Sequence, residues 1–175
     1  KIERPMTSYV YEGDKSFSLE HIRQEYPVYG TTDYRHPAIE ILQKNGSRIS
    51  DFKYNGYEIV PGKPKLQGLP ATYAESEEEA MTLRIFLKDS LTGVVVELLY
   101  TIFSEYGAIA RSVCIKNTGE MPVHLLKAMS LNLDLPDKDY VWMQLSGAWA
   151  RERHVKTRTL EQGITAIDSM RGNGS

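Results

Sequence analysis

"MTLRIFLKDSLTGVVVELLYTIF", residues 81–103, reads as two strands and the turn between them. Leu83, Ile85 and Leu87 fall on one face of the first strand, and Arg84 and Lys88 fall on the other. That is the period of two expected of a strand with one buried face. From Val94 to Phe103 the alternation gives way to a long run rich in β-branched and aromatic residues. Asp89 to Gly93 has the length and composition of a hairpin connection.

The same pattern extends outward. Residues 108–116 alternate again, with Ile109, Val113 and Ile115 on one face and Arg111 among them, and Asn117-Thr118-Gly119 follows as a turn. Over 123–135, Leu125, Met129, Leu131, Leu133 and Leu135 share a face interrupted by Lys127, while Asn132 and Asp134 take the other. Further strands are predicted at 139–145, 148–158 and 164–170. Upstream, strands are predicted at 38–43, 48–54 and 56–60, with tight turns at Asn45-Gly46 and Asn55-Gly56. A proline- and glycine-punctuated loop covers 61–73, and one short helix is predicted over 17–25. Strands at even spacing with short turns give an all-β, mainly antiparallel sandwich.

Composition narrows the function. The chain has 175 residues, 41% of them hydrophobic, enough for one domain with its own core. A net charge of -2 gives no electrostatic case for nucleic acid. Cys114 is the single cysteine and lies in an apolar run, which favours a buried, inert thiol. Unpaired cysteine chemistry favours a reducing compartment. No apolar run reaches membrane-span length and no signal-peptide pattern opens the chain, so a cytoplasmic setting is expected. His21, His36, His124 and His154 are scattered, and there is no phosphate loop or Gly-x-Ser-x-Gly elbow, so no metal or cofactor is expected. Asp134, Asp137 and Asp139 around Pro136 read as turn-forming residues rather than calcium ligands. The acidic run of Glu75 and Glu77 to Glu79 reads as a solvated flank.

Two clusters stand out as candidate sites. "YGTTDYRHPA", residues 29–38, gathers Tyr29, Tyr34, Asp33, Arg35 and His36. Two readings stay open: a loop that contacts ligand or partner, or an Asp–Arg pair that anchors the loop. "GAWARERH", residues 147–154, places Trp149, Arg151 and Arg153 on one strand face and Ala148, Ala150, Glu152 and His154 on the other. Arg beside Trp is a common packing and interface arrangement, so structure or interface is favoured over catalysis.

Six blocks carry a resemblance. "EYPVYGTTDYRHPA", "GKPKLQGLPATY", "LLYTIF", "ARSVCIKNTG", "AMSLNLDLPD" and "QLSGAWARERH" follow one another in the order and spacing of the amino-terminal domain of glycoside hydrolase family 36, the α-galactosidases. The closing "SMRG" is similar to the family's Ser-x-Arg-Gly. The resemblance runs from about Phe17 to Gly172. It implies a mainly antiparallel β-supersandwich that precedes a catalytic (β/α)8 barrel and a small carboxy-terminal β-domain. It also implies removal of terminal α-linked galactose from melibiose, raffinose and related oligosaccharides, with retention.

Retention needs two carboxylates, a nucleophile and an acid/base. The resemblance places both on the barrel, so no acidic residue of this chain inherits a catalytic role. Residues 1–175 are expected to be a single domain cut from a longer enzyme, without the family's first strands, barrel or carboxy-terminal domain. The expected partners are its own barrel, further copies in a tetramer, and galactosides. In the family, sandwich loops help close a neighbouring subunit's sugar pocket. The matching stretch leads into Phe17, and carries Asp14-Lys15 where members commonly show Asp-Arg. Lysine lacks the planar two-pronged donor of arginine. Asp33 and Arg35 match the family's Asp-x-Arg. "GAWARERH" matches a block whose implied work is structural, with Arg and Glu paired across strands and Trp packed toward the barrel or another subunit. The alternative is a free-standing carbohydrate-binding or interaction sandwich.

Overall fold

Burial decides which predicted strand becomes the centre. A computed structural model of the chain describes residues 22–30, 34–68, 71–135, 139–161 and 163–168. Among them are eight strands: β1 (Ile39–Leu42), β2 (Phe52–Pro61), β3 (Met81–Asp89), β4 (Val94–Phe103), β5 (Ala108–Asn117), β6 (His124–Ala128), β7 (Val141–Ala148) and β8 (Arg151–Thr159). Every ladder is antiparallel, and a lone parallel bridge joins Val28 to Ile39. The described residues form two compact units, one up to Leu135 and one beyond it.

In the first unit, β2-β3-β4-β5 form a four-stranded sheet and β1-β6 a two-stranded ribbon. Val94, Val96 and Leu98 of β4 meet Ile39 and Ile41 of β1, with Ala38 and Tyr26, in one buried cluster. Ile85, Leu87, Val113 and Ile115 pack against that cluster from the flanking strands. Each large apolar side chain buried there contributes about 1.5–3 kcal/mol. On the other face of β4, Glu97, Leu99 and Thr101 are also buried. β4 is thus covered on both faces, which explains why its sequence is a continuous apolar run while β3 alternates.

The buried Glu97 is compensated by an ion chain that crosses all four strands. Its carboxylate accepts from Arg84 Nε at 2.6 Å and from Lys116 Nζ at 3.4 Å, and Arg84 Nη1 reaches Glu58 at 2.8 Å. Burial alone would push the Glu97 carboxyl up. The hydrogen bond and charge of Arg84, with those of Lys116, outweigh it and hold the group below the ordinary carboxylate range.

The second unit contains the β7-β8 hairpin. Val141, Met143, Leu145 and Val155 form an exposed apolar side. The Arg158 guanidinium lies over the Trp142 ring at 5.7 Å, with the two residues cross-strand partners.

Several expectations are corrected. Asn55-Gly56 does not separate two strands. It is a bulge within β2, where Asn55 and Gly56 oppose Phe86 and Gly56 takes φ 113. β1 pairs with β6 rather than with the chain after Asn45-Gly46, because the turn closes only Gln43 to Ser47 and residues 47–51 carry no strand. The strand expected over 123–135 ends at Ala128. Beyond it, Leu131, Leu133 and Leu135 point outward and Asn132 and Asp134 turn inward, the reverse of the ordinary pattern. Residues 164–168 form no strand, and the described part of the predicted 17–25 helix, residues 22–25, is not helical. Cys114 is half-buried, not buried, and lies across from Glu97.

Glu97→Ala should destabilise the fold by about 3–5 kcal/mol, the cost of breaking a buried pair. Because the folded-state group is depressed, its contribution is present above the ordinary carboxylate range and lost as pH falls through the folded value. Urea melts of wild type and Glu97→Gln, run from neutral pH into the acid range, should converge at the acid end.

Candidate functional site

Arg35 works as a brace. Its Nη2 donates to the Ile22 carbonyl at 2.7 Å, and its Nη1 donates to Asp134 Oδ2 in a close ion pair. The same Asp134 oxygen accepts the Gln24 N–H at 3.0 Å, and Asn132 Nδ2 donates to the Gln24 carbonyl at 2.8 Å. Both backbone polar groups of Gln24 are thereby satisfied by side chains about 110 residues away in sequence. This explains the inverted leucines: the segment after β6 presents its polar side to the chain around Gln24. Asp33, the expected partner of Arg35, lies outside the described residues, as do Asp14 and Lys15.

A second constellation was not singled out as a site from sequence. Arg111 of β5 lies over the Tyr100 ring of β4 at 3.9 Å, and its Nη2 donates to Glu25 Oε1 at 3.1 Å. The Tyr100 hydroxyl donates to the same Glu25 oxygen. Beside them the Tyr26 hydroxyl donates to the Met129 carbonyl at 2.8 Å. Burial raises the Tyr100 phenol well above its ordinary value, and the acceptor Glu25 adds to that. Burial likewise raises Tyr26. Both phenols therefore stay protonated as donors. Arg111 Nε is buried with no partner among the described residues. The signal in the sequence is a single arginine on the apolar side of "AIARSVCIKN".

The hairpin tip differs from its expected form. Trp149 and Ala150 are the two-residue turn of the hairpin, since Ala148 pairs with Arg151. Trp149 is 89% exposed. The register shifts between Ser146 and Ala148, so Glu152 and Arg153 bulge opposite Gly147. Ala150 and Arg153 both adopt φ 62, a left-handed conformation unusual for non-glycine residues. A Cβ on Gly147 would sit 2.1 Å from the Arg151 carbonyl oxygen, so only glycine fits opposite the bulge. Glu152 Oε1 accepts the Ala150 N–H at 2.7 Å and steadies the turn.

The bulge breaks the alternation on which the shared face of Trp149, Arg151 and Arg153 rested. The expected cross-strand pairing is also absent: Arg151 and Arg153 are exposed, and neither makes an ion pair among the described residues. Arg35 belongs to the first unit and the hairpin tip to the second. Among the described residues, no three His, Cys, Asp or Glu side chains are grouped to hold a metal ion. No helix among them is long and apolar enough to cross a membrane. A cleft of about 620 Å³ lies between the turns at Gln43–Asn45, Ser90–Gly93 and Gly119–Val123, and none of the sequence-predicted site residues lines it.

The fold and these blocks have known counterparts. The model of the glycosyl hydrolase family 36 N-terminal domain matches residues 2–175. The α-galactosidase AgaA of Geobacillus stearothermophilus is 43% identical over 175 residues, covering 100% of this chain and 24% of that protein. The α-galactosidase Mel36A of Lactobacillus acidophilus is 38% identical over 162 residues, covering 93% of this chain and 22% of that protein. A crystal structure of an AgaA variant in complex with raffinose superposes with a TM-score of 0.87 at 44% identity, covering 97% of this chain and 24% of that one. The α-galactosidase of Lactobacillus brevis superposes with a TM-score of 0.85 at 36% identity, covering 98% of this chain and 23% of that one. The chain thus spans about a quarter of the length of these relatives.

Arg35→Ala should cost about 1.5–3 kcal/mol, the range for hydrogen bonds to charged groups. Because the pair shares one network, a double-mutant cycle with Asp134→Asn should show strong coupling in urea melts. At the hairpin tip, Arg151→Ala should shift stability by no more than about 0.5 kcal/mol. Arg153→Gly, which relieves the left-handed strain, should stabilise by about 1 kcal/mol. A large loss on Arg151→Ala would restore the expected buried pairing.

Proposed function

The chain belongs to the glycosyl hydrolase family 36 N-terminal domain family, and from that membership we propose that it is the non-catalytic N-terminal domain of a retaining α-galactosidase. The observation that carries the reading is a family match over residues 2–175 with relatives that are about four times longer. One family match running through both compact units supports treating 1–175 as one domain. The substrates are terminal α-linked galactosides of the melibiose and raffinose class, and the setting is cytoplasmic. The raffinose complex of the related AgaA variant supports this substrate class.

The domain's part is assembly and positioning. Chemistry of this kind needs two carboxylates flanking the glycosidic bond. Several of the described acidic side chains are occupied structurally, among them Glu97 by Arg84 and Lys116, Asp134 by Arg35, Glu25 by Arg111 and Tyr100, and Glu40 by Arg48. Exposed apolar surface supports packing against other parts of the enzyme. Ile59, Met81, Ile102 and Ile109 crowd one end of the sheet face, each about half exposed or more. The hairpin adds Val141, Met143 and Leu145, with Trp149 at its tip. Clustered apolar surface, taken on each unit separately, marks interaction sites. Barrel docking and homotetramer formation are the roles it would serve.

The purified 175-residue chain should not release nitrophenol from an aryl α-galactoside. The intact protein should do so, with the first-formed galactose in the α-anomer by NMR. Turnover by the chain itself, at a rate that follows its purification, would overturn the non-catalytic assignment.

A further inference from the structure

β2 lies at the edge of its sheet, with β3 on one side and no strand on the other among the described residues. It is ten residues long, and Tyr54, Tyr57 and Ile59 are each 57–63% exposed. Such an edge presents unpaired backbone N–H and C=O groups to which another strand can add.

The bulge gives this edge an internal symmetry. Tyr54 pairs with Leu87 and Tyr57 with Ile85, so the extra residue at Asn55-Gly56 resets the alternation. Phe52, Tyr54, Tyr57 and Ile59 therefore share one face, and Lys53 and Glu58 share the other. In an unbulged strand Tyr54 and Tyr57 would point to opposite faces. With a two-fold axis between Asn55 and Gly56, an antiparallel second β2 fits residue for residue. Tyr54 meets Tyr57 of the partner subunit, Phe52 meets Ile59 of the partner subunit, and Lys53 meets Glu58 of the partner subunit. Each pair occurs twice, as an isologous contact requires. Apolar faces apolar on one side of the joint sheet, and cation faces anion on the other.

Charge supports the same register. Lys53 stands directly across from Lys88, an unfavourable like-charge pair, and among the described residues its one ion pair is with the exposed Asp51 at 3.2 Å. A second carboxylate on its free side would relieve this. Glu58 can turn outward without stranding its present partner, because Arg84 also holds Glu97 at 2.6 Å.

We infer that the β2 edge is a self-complementary surface through which two copies of this chain join their four-stranded sheets. The inference deepens the proposed assembly role and does not depend on the catalytic reading, since activity is not its readout. Sedimentation of the chain should show a concentration-dependent dimer. Lys53→Glu or Glu58→Lys should each weaken it at least tenfold, and the double swap Lys53→Glu/Glu58→Lys should restore it. In a Cys114→Ser background of the intact protein, Tyr54→Cys mixed with Tyr57→Cys should form an interchain disulfide. A monomer at all concentrations, or a dimer insensitive to both charge reversals, overturns the inference. So does cross-linking of the isolated chain but not of the intact protein, which would assign the edge to a strand of the same polypeptide.

Discussion

Burial of β4 on both faces is the constraint on which the rest of the first unit depends. One face carries Val94, Val96 and Leu98 against the β1 residues Ile39 and Ile41. The other carries Glu97, Leu99 and Thr101. A carboxylate placed there must be paired, because an isolated buried charge is far more costly than any hydrophobic contact returns. The ion chain from Glu58 through Arg84 and Glu97 to Lys116 follows from that requirement, and it also ties all four strands together. Thr82 and Thr101 answer the same demand with neutral groups, sharing a hydrogen bond at 2.8 Å while Thr82 also donates to the Gly62 carbonyl.

The remaining polar clusters fasten irregular chain to this frame. Arg111 and Tyr100 project from the sheet to hold Glu25, and Tyr26 reaches Met129. Asn132 and Asp134 hold Gln24, and Arg35 closes the arrangement by binding Asp134 and Ile22. Residues from the segments around 25, 35, 100, 111 and 130 therefore meet in a polar seam beside the apolar core. Such seams fix the position of loops that have no ladder of their own, because each buried N–H and C=O must find a partner.

The strained hairpin tip belongs to the same logic of presentation. Two left-handed non-glycine residues and a bulge opposite Gly147 hold Trp149 out in solvent. Backbone strain of that kind persists only where the surrounding contacts impose it. Here the Glu152 carboxylate on the Ala150 N–H and the close approach of Gly147 to the Arg151 carbonyl supply the constraint.

Period-two patterning and turn residues are local signals, so the all-β class, the β3–β4 hairpin and β5 were legible in the sequence alone, while the family was legible through six blocks that resemble it in order and spacing. The sequence also marked Arg35 as a candidate loop anchor, and the structure adds its bond to Asp134. Only the tertiary structure decided that Asn55-Gly56 is a bulge rather than a turn, since the same dipeptide serves either and strand pairing on β3 selects between them. Only it showed that Leu131, Leu133 and Leu135 face outward, since hydrogen bonds to Gln24 rather than hydrophobic periodicity orient that segment. And only it separated Arg151 from Arg153, because a single extra residue in a strand reverses every face beyond it.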